Sequence, residues 1–123
     1  MEKILEKISS YFQLSKNVEV TFEVNTDDVT EMKLKDWKQV GINRLSIGLQ
    51  SFDDEELKWF NRIHSSSQGI NSVKMAQDKG FRNISIDLIY GSKFQNENKW
   101  AKTLEQAVSL NVQHISAYNL TIE

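Results

Sequence analysis

Polar side chains stand near the end of each of four strand-like segments, and their types suit the binding of a polar ligand. Carboxylates at such positions can accept hydrogen bonds from ribose hydroxyls or a cationic amine, and a primary amide can both donate and accept. Parallel α/β proteins bind ligands at the carboxyl ends of their strands. The same side chains could instead cap neighbouring helices, and the sequence leaves both roles open. The segments span residues 18–25, 44–51, 83–90 and 114–121, and their polar residues are Glu23, Gln50, Asp87 and Tyr118.

The four segments alternate apolar residues with polar or small ones. In the second segment, Leu45, Ile47 and Leu49 oppose Ser46 and Gly48, because successive side chains of a strand point to opposite faces. Helical patterns separate the segments, which predicts βα units and a parallel sheet. Parallel sheets are usually apolar on both faces, so a polar second face predicts a wall around a polar ligand. The alternative is a half-solvated antiparallel sheet, but the long helical spacers count against hairpins.

Helical patterns give the predicted order α-β-α-β-α-α-β-α-β. The first helix carries an apolar stripe formed by Ile4, Leu5, Ile8, Tyr11 and Phe12. The second is expected to be capped by Thr26, Asp27 or Asp28 and to end at Gly41. Further helices are predicted over residues 53–61, 68–79 and 96–110, and the serines at 65–67 break the pattern between the first two. The tryptophans, which are Trp37, Trp59 and Trp100, lie on predicted helices and indicate helix–sheet packing.

The bulk composition describes one globular domain of 123 residues, which is short for a complete barrel. Its formal net charge is −2 and no basic run indicates a nucleic-acid partner. No segment approaches the roughly 18 apolar residues of a membrane helix, and the N-terminus has no signal core, so a cytoplasmic location is expected. The chain has no cysteine, which excludes thiolate ligation by its own residues, and no proline. Both ends look cut from something larger.

Four short sequence words, taken together, point to one family. Residues 41–52 read GINRLSIGLQSF, residues 61–64 NRIH, residues 86–91 IDLIYG and residues 114–123 HISAYNLTIE. They resemble, in the same order, the words GxNRxSxGxQSF, GRxH, DLIYG and HxSxYxLTIE of oxygen-independent coproporphyrinogen III oxidases. These belong to the radical S-adenosylmethionine (SAM) proteins and include haem-chaperone relatives. The resemblance covers residues 18–123, and the pair Arg62 and His64 favours the haem-chaperone branch.

The resemblance implies a cofactor site. The positions that match SAM contacts of the family are Glu23, Gln50, Arg62, Asp87 and, through its backbone, Thr121. Carboxylates and an amide would serve the ribose and amino-acid ends of SAM, and Arg62 can form a bidentate pair with a carboxylate. In the family a [4Fe–4S] cluster on a CxxxCxxC loop cleaves SAM to a radical. That loop would lie upstream of this chain, which by itself is expected to hold no cofactor or metal and to be inactive.

Three loops depart from the family pattern without removing a polar ligand group. The family has proline-containing loops where this chain reads Val24-Asn25-Thr26, Gly91-Ser92-Lys93 and Val112-Gln113. These changes are expected to loosen loops near the site. His64 is a possible haem-iron ligand, although its loop position beside the SAM contacts argues for another role. His114, at a strand start on the far side from the site, is interpreted as structural.

The predicted fold class is therefore α/β, a fragment of a partial (β/α) TIM-like radical SAM barrel with about four parallel strands and flanking helices, forming a single partial domain over residues 1–123. The implied function is SAM-dependent oxidative decarboxylation of coproporphyrinogen III in porphyrin and haem metabolism. The alternative is a haem chaperone that keeps the cluster and SAM without oxidase activity. In both cases the small-molecule partner of the parent is a tetrapyrrole. A barrel cut on both sides exposes two strand edges, so this chain is expected to self-associate.

Overall fold

The computed structural model describes residues 1–121 and confirms the predicted order of helices and strands. One short 3₁₀ turn, Thr26–Asp28, is added after the first strand, so the cap predicted there for the second helix is wrong and Thr30 caps that helix instead. The helices are α1 (Glu2–Tyr11), α2 (Glu31–Gln39), α3 (Asp54–Trp59), α4 (Ser66–Asp78) and α5 (Glu97–Ser109). The strands are β1 (Thr21–Asn25), β2 (Arg44–Gln50), β3 (Ile84–Tyr90) and β4 (His114–Asn119).

The four strands form one parallel sheet in the sequential order β1-β2-β3-β4. The antiparallel alternative is therefore wrong, and the α/β prediction of consecutive βα units is confirmed. The register is regular except between β2 and β3, where it shifts between Gly48 and Gln50. This irregularity lies at the carboxyl end of β2, where a predicted ligand contact is located.

The core lies between the apolar face of the sheet and the helices. Residues from α2, α4 and α5, such as Leu34, Val73 and Ala107, belong to the same buried cluster as residues of β2 and β3. The seven strand positions expected to face the helices are all buried in this core or packed against it: Val20, Phe22, Leu45, Ile47, Ile84, Ile86 and Ile115. The apolar half of the alternation is thus confirmed, and it fixes which face of the sheet remains for polar groups.

The starts of β1 and α4 differ from the prediction because side chains take over backbone hydrogen bonds. β1 begins at Thr21 rather than at residue 18, since the Asn43 side chain occupies the preceding positions. Its Oδ1 accepts from the Val20 amide and its Nδ2 donates to the Val18 carbonyl, both at 2.8 Å. α4 begins at Ser66 rather than at residue 68, because Ser65 and Gln68 form a reciprocal capping box. The serines predicted to break the helix therefore start it.

The N-terminal helix α1 forms as predicted but has no buried residue. Its apolar stripe remains exposed, including Ile4, Tyr11 and Phe12. Among the tryptophans, Trp37 packs edge-on against Phe22 of β1, with ring centroids 5.1 Å apart, as expected for helix–sheet packing. No helix within residues 1–121 has the length and apolar character needed to cross a membrane.

Candidate functional site

Asp87 lies at the centre of the polar face of the sheet. It is the fourth residue of β3 and not its last, so the sequence placed it too near the strand end. Ser46 of β2 donates its hydroxyl to both Asp87 oxygens, at 3.2 and 3.3 Å. Burial raises the pKa of the Asp87 carboxyl, and the negative charge of Glu23 adds to the increase. Hydrogen bonds from Ser46 and Ser116 and the nearby His114 lower the pKa and oppose these effects.

Glu23 is the second carboxylate of this face. It is the middle residue of β1, is exposed and pairs in register with Ser46. Its charge acts on Asp87 across β2, and within residues 1–121 neither carboxylate forms an ion pair. Two carboxylates that repel each other favour a ligand that brings hydroxyl donors or a positive charge.

Gln50 ends β2 in a strained conformation. Its φ of 69° lies in the left-handed region, which residues other than glycine rarely adopt. The Ser51 amide donates to the Leu49 carbonyl at 2.9 Å, which closes a three-residue turn around Gln50. A Cβ placed on Gly48 would lie 2.8 Å from the Gln50 side-chain nitrogen. The Gln50 amide therefore lies over Gly48, at the level where Asn25 and Asp87 pair with Gly48 in register.

Arg62 occupies the loop between α3 and α4. It is half-buried, and its Nε is buried without a hydrogen-bond partner among the residues the structure describes. The residue lines a cavity of about 180 Å³ together with His64 and Gln68. A buried guanidinium nitrogen without a partner costs free energy unless a ligand supplies an acceptor. The arrangement therefore suits an anionic group such as a carboxylate.

The structure brings three of the five predicted SAM contacts to one region. Glu23 and Asp87 share the polar face, and Gln50 lies at the end of this face where β2 ends. Arg62 belongs to the loop between α3 and α4, which is separated from the Gln50 turn by helix α3. Thr121 is exposed beyond β4, and its neighbour Leu120 is held to the end of β3 by a 2.8 Å hydrogen bond to the Tyr90 carbonyl. The described contacts do not join Thr121 to the other four.

Both histidines make contacts that sequence reasoning did not foresee. His64 is buried and its Nε2 donates to the Leu49 carbonyl at 3.1 Å, so the ring supports the Gln50 turn. His114 begins β4 on the same face as Asp87 rather than on the far side. Its Nδ1 lies 2.8 Å from the Ser85 hydroxyl, and the residue lowers the pKa of Asp87. The sequence did contain a signal for this position: His114 and Ser116 are two residues apart in a strand, so their side chains point to the same face of the sheet.

Glu56 of α3 was missed entirely. Its carboxylate is 1% exposed and accepts hydrogen bonds from Ser51, Ser92 and the Gln95 amide. Ser92 is one of the departures from the family pattern that was expected to loosen a loop. Instead the Ser92 hydroxyl donates to Glu56, which also accepts from Ser51. The loop after β3 is therefore connected to the turn after β2 through the Glu56 carboxylate. Asp53 and Glu56 have the spacing of a capping box, which is the signal of a helix start and not of this contact, and Asp53 does cap α3.

Comparison with known proteins places these features in a family. The model of the radical SAM superfamily matches residues 1–107. The chain is 36% identical over 123 residues to the heme chaperone HemW of Escherichia coli K12 and 35% identical over 124 residues to that of Bacillus subtilis 168. All of this chain is covered, but only 32% and 33% of those relatives. The chain thus spans about a third of the length of the curated relatives it matches.

Solved structures of radical SAM proteins resemble this chain in fold. Coproporphyrinogen III oxidase (HemN) of Escherichia coli, described as a radical SAM enzyme, superposes with a TM-score of 0.85 and 28% identity, over 97% of this chain and 27% of that protein. Methylornithine synthase (PylB), at 11% identity and a TM-score of 0.78, shares the fold. The parallel sheet of this chain therefore corresponds to part of the radical SAM partial barrel. From its sequence words, its sheet and these matches, the chain belongs to the radical SAM superfamily, in the branch that contains HemN and HemW.

Proposed function

We propose that this chain forms a SAM-contacting part of a haem chaperone of the HemW type. The observation that carries the proposal is the site itself. Two carboxylates, Glu23 and Asp87, share the polar face under the strained Gln50 turn, and the buried Nε of Arg62 has no partner in the described residues. These groups complement SAM, which carries ribose hydroxyls, an ammonium group and a carboxylate.

The residues fit SAM by the chemistry of their donors and acceptors. Asp87 and Glu23 can accept from hydroxyls or from the ammonium group, whose positive charge would relieve their repulsion. Arg62 can donate to the carboxylate through the nitrogen that now lacks an acceptor. When bound beside an iron–sulfur cluster, SAM supplies the radical chemistry of the superfamily. This chain has no cysteine, so any thiolate ligands must come from other residues of a longer protein.

The chaperone reading is preferred to the oxidase reading, which was the main expectation from the sequence words. Curated relatives named heme chaperone are 34–36% identical to this chain in three bacteria. The structure named coproporphyrinogen III oxidase is 28% identical. The pair Arg62 and His64 also favours the chaperone branch by its resemblance. A tetrapyrrole remains the proposed small-molecule partner in either case.

Two chimeras test the proposal. In the first, called the HemW chimera, this chain replaces the matching third of the Escherichia coli heme chaperone. In the second it replaces the matching part of the Escherichia coli coproporphyrinogen III oxidase. We expect the HemW chimera to bind SAM and haem after anaerobic cluster reconstitution, and the second chimera to lose decarboxylation of coproporphyrinogen. Absence of SAM binding by a folded, cluster-loaded HemW chimera would refute the SAM site. Full turnover by the second chimera would favour the oxidase function.

A further inference from the structure

His64 closes the loop that carries two of the proposed SAM contacts. Its Nε2 donates to the Leu49 carbonyl across 15 residues of sequence, at 3.1 Å. Gln50 lies immediately inside this closed loop at one end, and Arg62 lies two residues inside it at the other. The contact therefore fixes both ends of one segment with a single hydrogen bond.

The same carbonyl belongs to the strained turn. The Leu49 oxygen accepts from the Ser51 amide at 2.9 Å as well as from His64, so both hydrogen bonds hold the left-handed conformation of Gln50. Residues in such sparsely populated conformations persist only where their surroundings hold them there. Without the histidine, the Leu49 side of the turn would lose its hydrogen bond to a buried side chain.

The imidazole itself is held firmly. It is 5% exposed, and the next residue, Ser65, begins α4 with the capping box. A Cβ added to Gly69 of α4 would lie 3.1 Å from the Leu49 side chain and 3.9 Å from the His64 ring. The first turn of α4 therefore packs closely on both partners of the hydrogen bond.

A second buried group holds the other side of the turn. The Ser51 hydroxyl donates to the Glu56 carboxylate at 2.5 Å, and it also accepts from the Asp53 amide at 3.0 Å. Both neighbours of Gln50 are therefore held by buried side chains: His64 holds Leu49, and Glu56 holds Ser51. Buried polar groups of this kind restrict the turn to one conformation when all of them are satisfied.

We propose that His64 is a positioning residue for SAM, which acts by holding the Gln50 turn and the Arg62 loop in the binding conformation. The proposal rests on the proposed function for its readout with SAM, but its structural part can be tested in the free 123-residue chain. The role assigned here needs no metal, because it rests on the hydrogen bond from Nε2 to the Leu49 carbonyl.

Substitutions of His64 by side chains of different lengths provide the test. In the HemW chimera, His64→Leu removes the donor, whereas His64→Gln places an amide nitrogen near the position of Nε2, and the shorter His64→Asn does not reach it. Because a neutral hydrogen bond is lost, we expect the SAM dissociation constant to rise roughly three- to tenfold for Leu and Asn. The glutamine variant is expected to stay within about twofold of the unsubstituted chimera.

A control separates positioning from simple loss of stability. Ile84→Ala, at the start of β3, removes a buried side chain that pairs with Leu45 at the opposite end of β2 from Gln50, and it lowers stability through the core. A folded Ile84→Ala chimera should bind SAM as the unsubstituted one does. In the free chain, a nuclear Overhauser contact between the Gln50 side-chain amide and Gly48 should be present, should disappear with His64→Asn and should return with His64→Gln.

The outcomes are distinguishable from those of the proposed function. Equal SAM affinity for the glutamine and asparagine variants, with the Gln50–Gly48 contact intact in both, would overturn the positioning role. If the unsubstituted chimera fails to bind SAM, the proposed function fails, and the nuclear Overhauser comparison alone decides the role of His64. If His64→Leu does not fold, the glutamine–asparagine pair still gives the decision.

Discussion

The two faces of the sheet contrast sharply although they alternate along the same strands. The apolar face buries Leu45, Ile47, Ile84 and Ile86 almost completely beneath the helices. The polar face leaves Glu23 exposed and holds Asp87 partly buried, next to a strained turn. One face therefore supplies the stability of the fold, and the other bears groups whose burial and repulsion cost stability. Such a cost is expected where a ligand is to be bound.

The largest expected effect lies on the apolar face. Ile86→Ala removes a fully buried side chain at the centre of β3. The free energy of unfolding of the 123-residue chain should fall by about 2–5 kcal/mol, measured by urea denaturation. Ile63→Ala is the matched control, because that side chain is 91% exposed, and it should change stability by less than about 0.5 kcal/mol. Similar losses for the two variants would contradict the assignment of the faces.

A smaller effect is expected where the loop after β3 contacts α3. Ser92→Ala removes one of the donors to the buried Glu56 carboxylate. Hydrogen bonds to charged groups contribute about 1.5–3 kcal/mol, so the unfolding free energy should fall by an amount in this range. The exposed Ser9 on α1 offers a matched substitution that should be neutral. Unchanged stability of Ser92→Ala would mean that the loops after β2 and β3 are not tied through Glu56.

The smallest effect is a dependence on pH that arises from the polar face. Burial and the charge of Glu23 raise the pKa of the Asp87 carboxyl, so the folded chain binds this proton more tightly than the unfolded chain. The stabilising contribution of protonated Asp87 is complete below its unfolded pKa and is lost as pH rises through the folded pKa. Relative to Asp87→Asn, the unsubstituted chain should therefore lose stability as the pH rises from the ordinary aspartate pKa of about 3.9 through the raised pKa of folded Asp87. A constant difference across this range, by thermal unfolding, would argue against the raised pKa.

The apolar face was predictable from the sequence and the details of the polar face were not. Alternation at a period of two placed Leu45, Ile47 and Ile86 correctly, because burial of one face needs only the local pattern. The His64–Leu49 and Ser92–Glu56 hydrogen bonds join residues 15 and 36 positions apart. No local pattern encodes such pairings. They appear only when the helices are packed, which explains why His64 was considered as an iron ligand and Ser92 as a loosening change.

The strand-end argument was similarly limited. It identified Glu23, Gln50 and Asp87 by their residue types and by the alternation of side chains along each strand. Glu23 and Asp87, however, lie in the middle of their strands and not at the ends. Resemblance to the family, rather than position in the strand, selected Arg62 and Thr121. Of these two, Arg62 has the structural support of its unpartnered Nε, whereas Thr121 remains a prediction.

SAM binding by the HemW chimera tests the central claim most directly, through two substitutions that remove the same charge. Asp87→Asn acts on the polar face, and Asp78→Asn acts on the exposed last residue of α4. Loss of a charged hydrogen bond should raise the SAM dissociation constant by roughly ten- to a hundredfold for Asp87→Asn, and Asp78→Asn should leave it unchanged in a calorimetric titration. Equal affinities for the two variants would remove Asp87 from the site and contradict the assignment of the polar face to SAM.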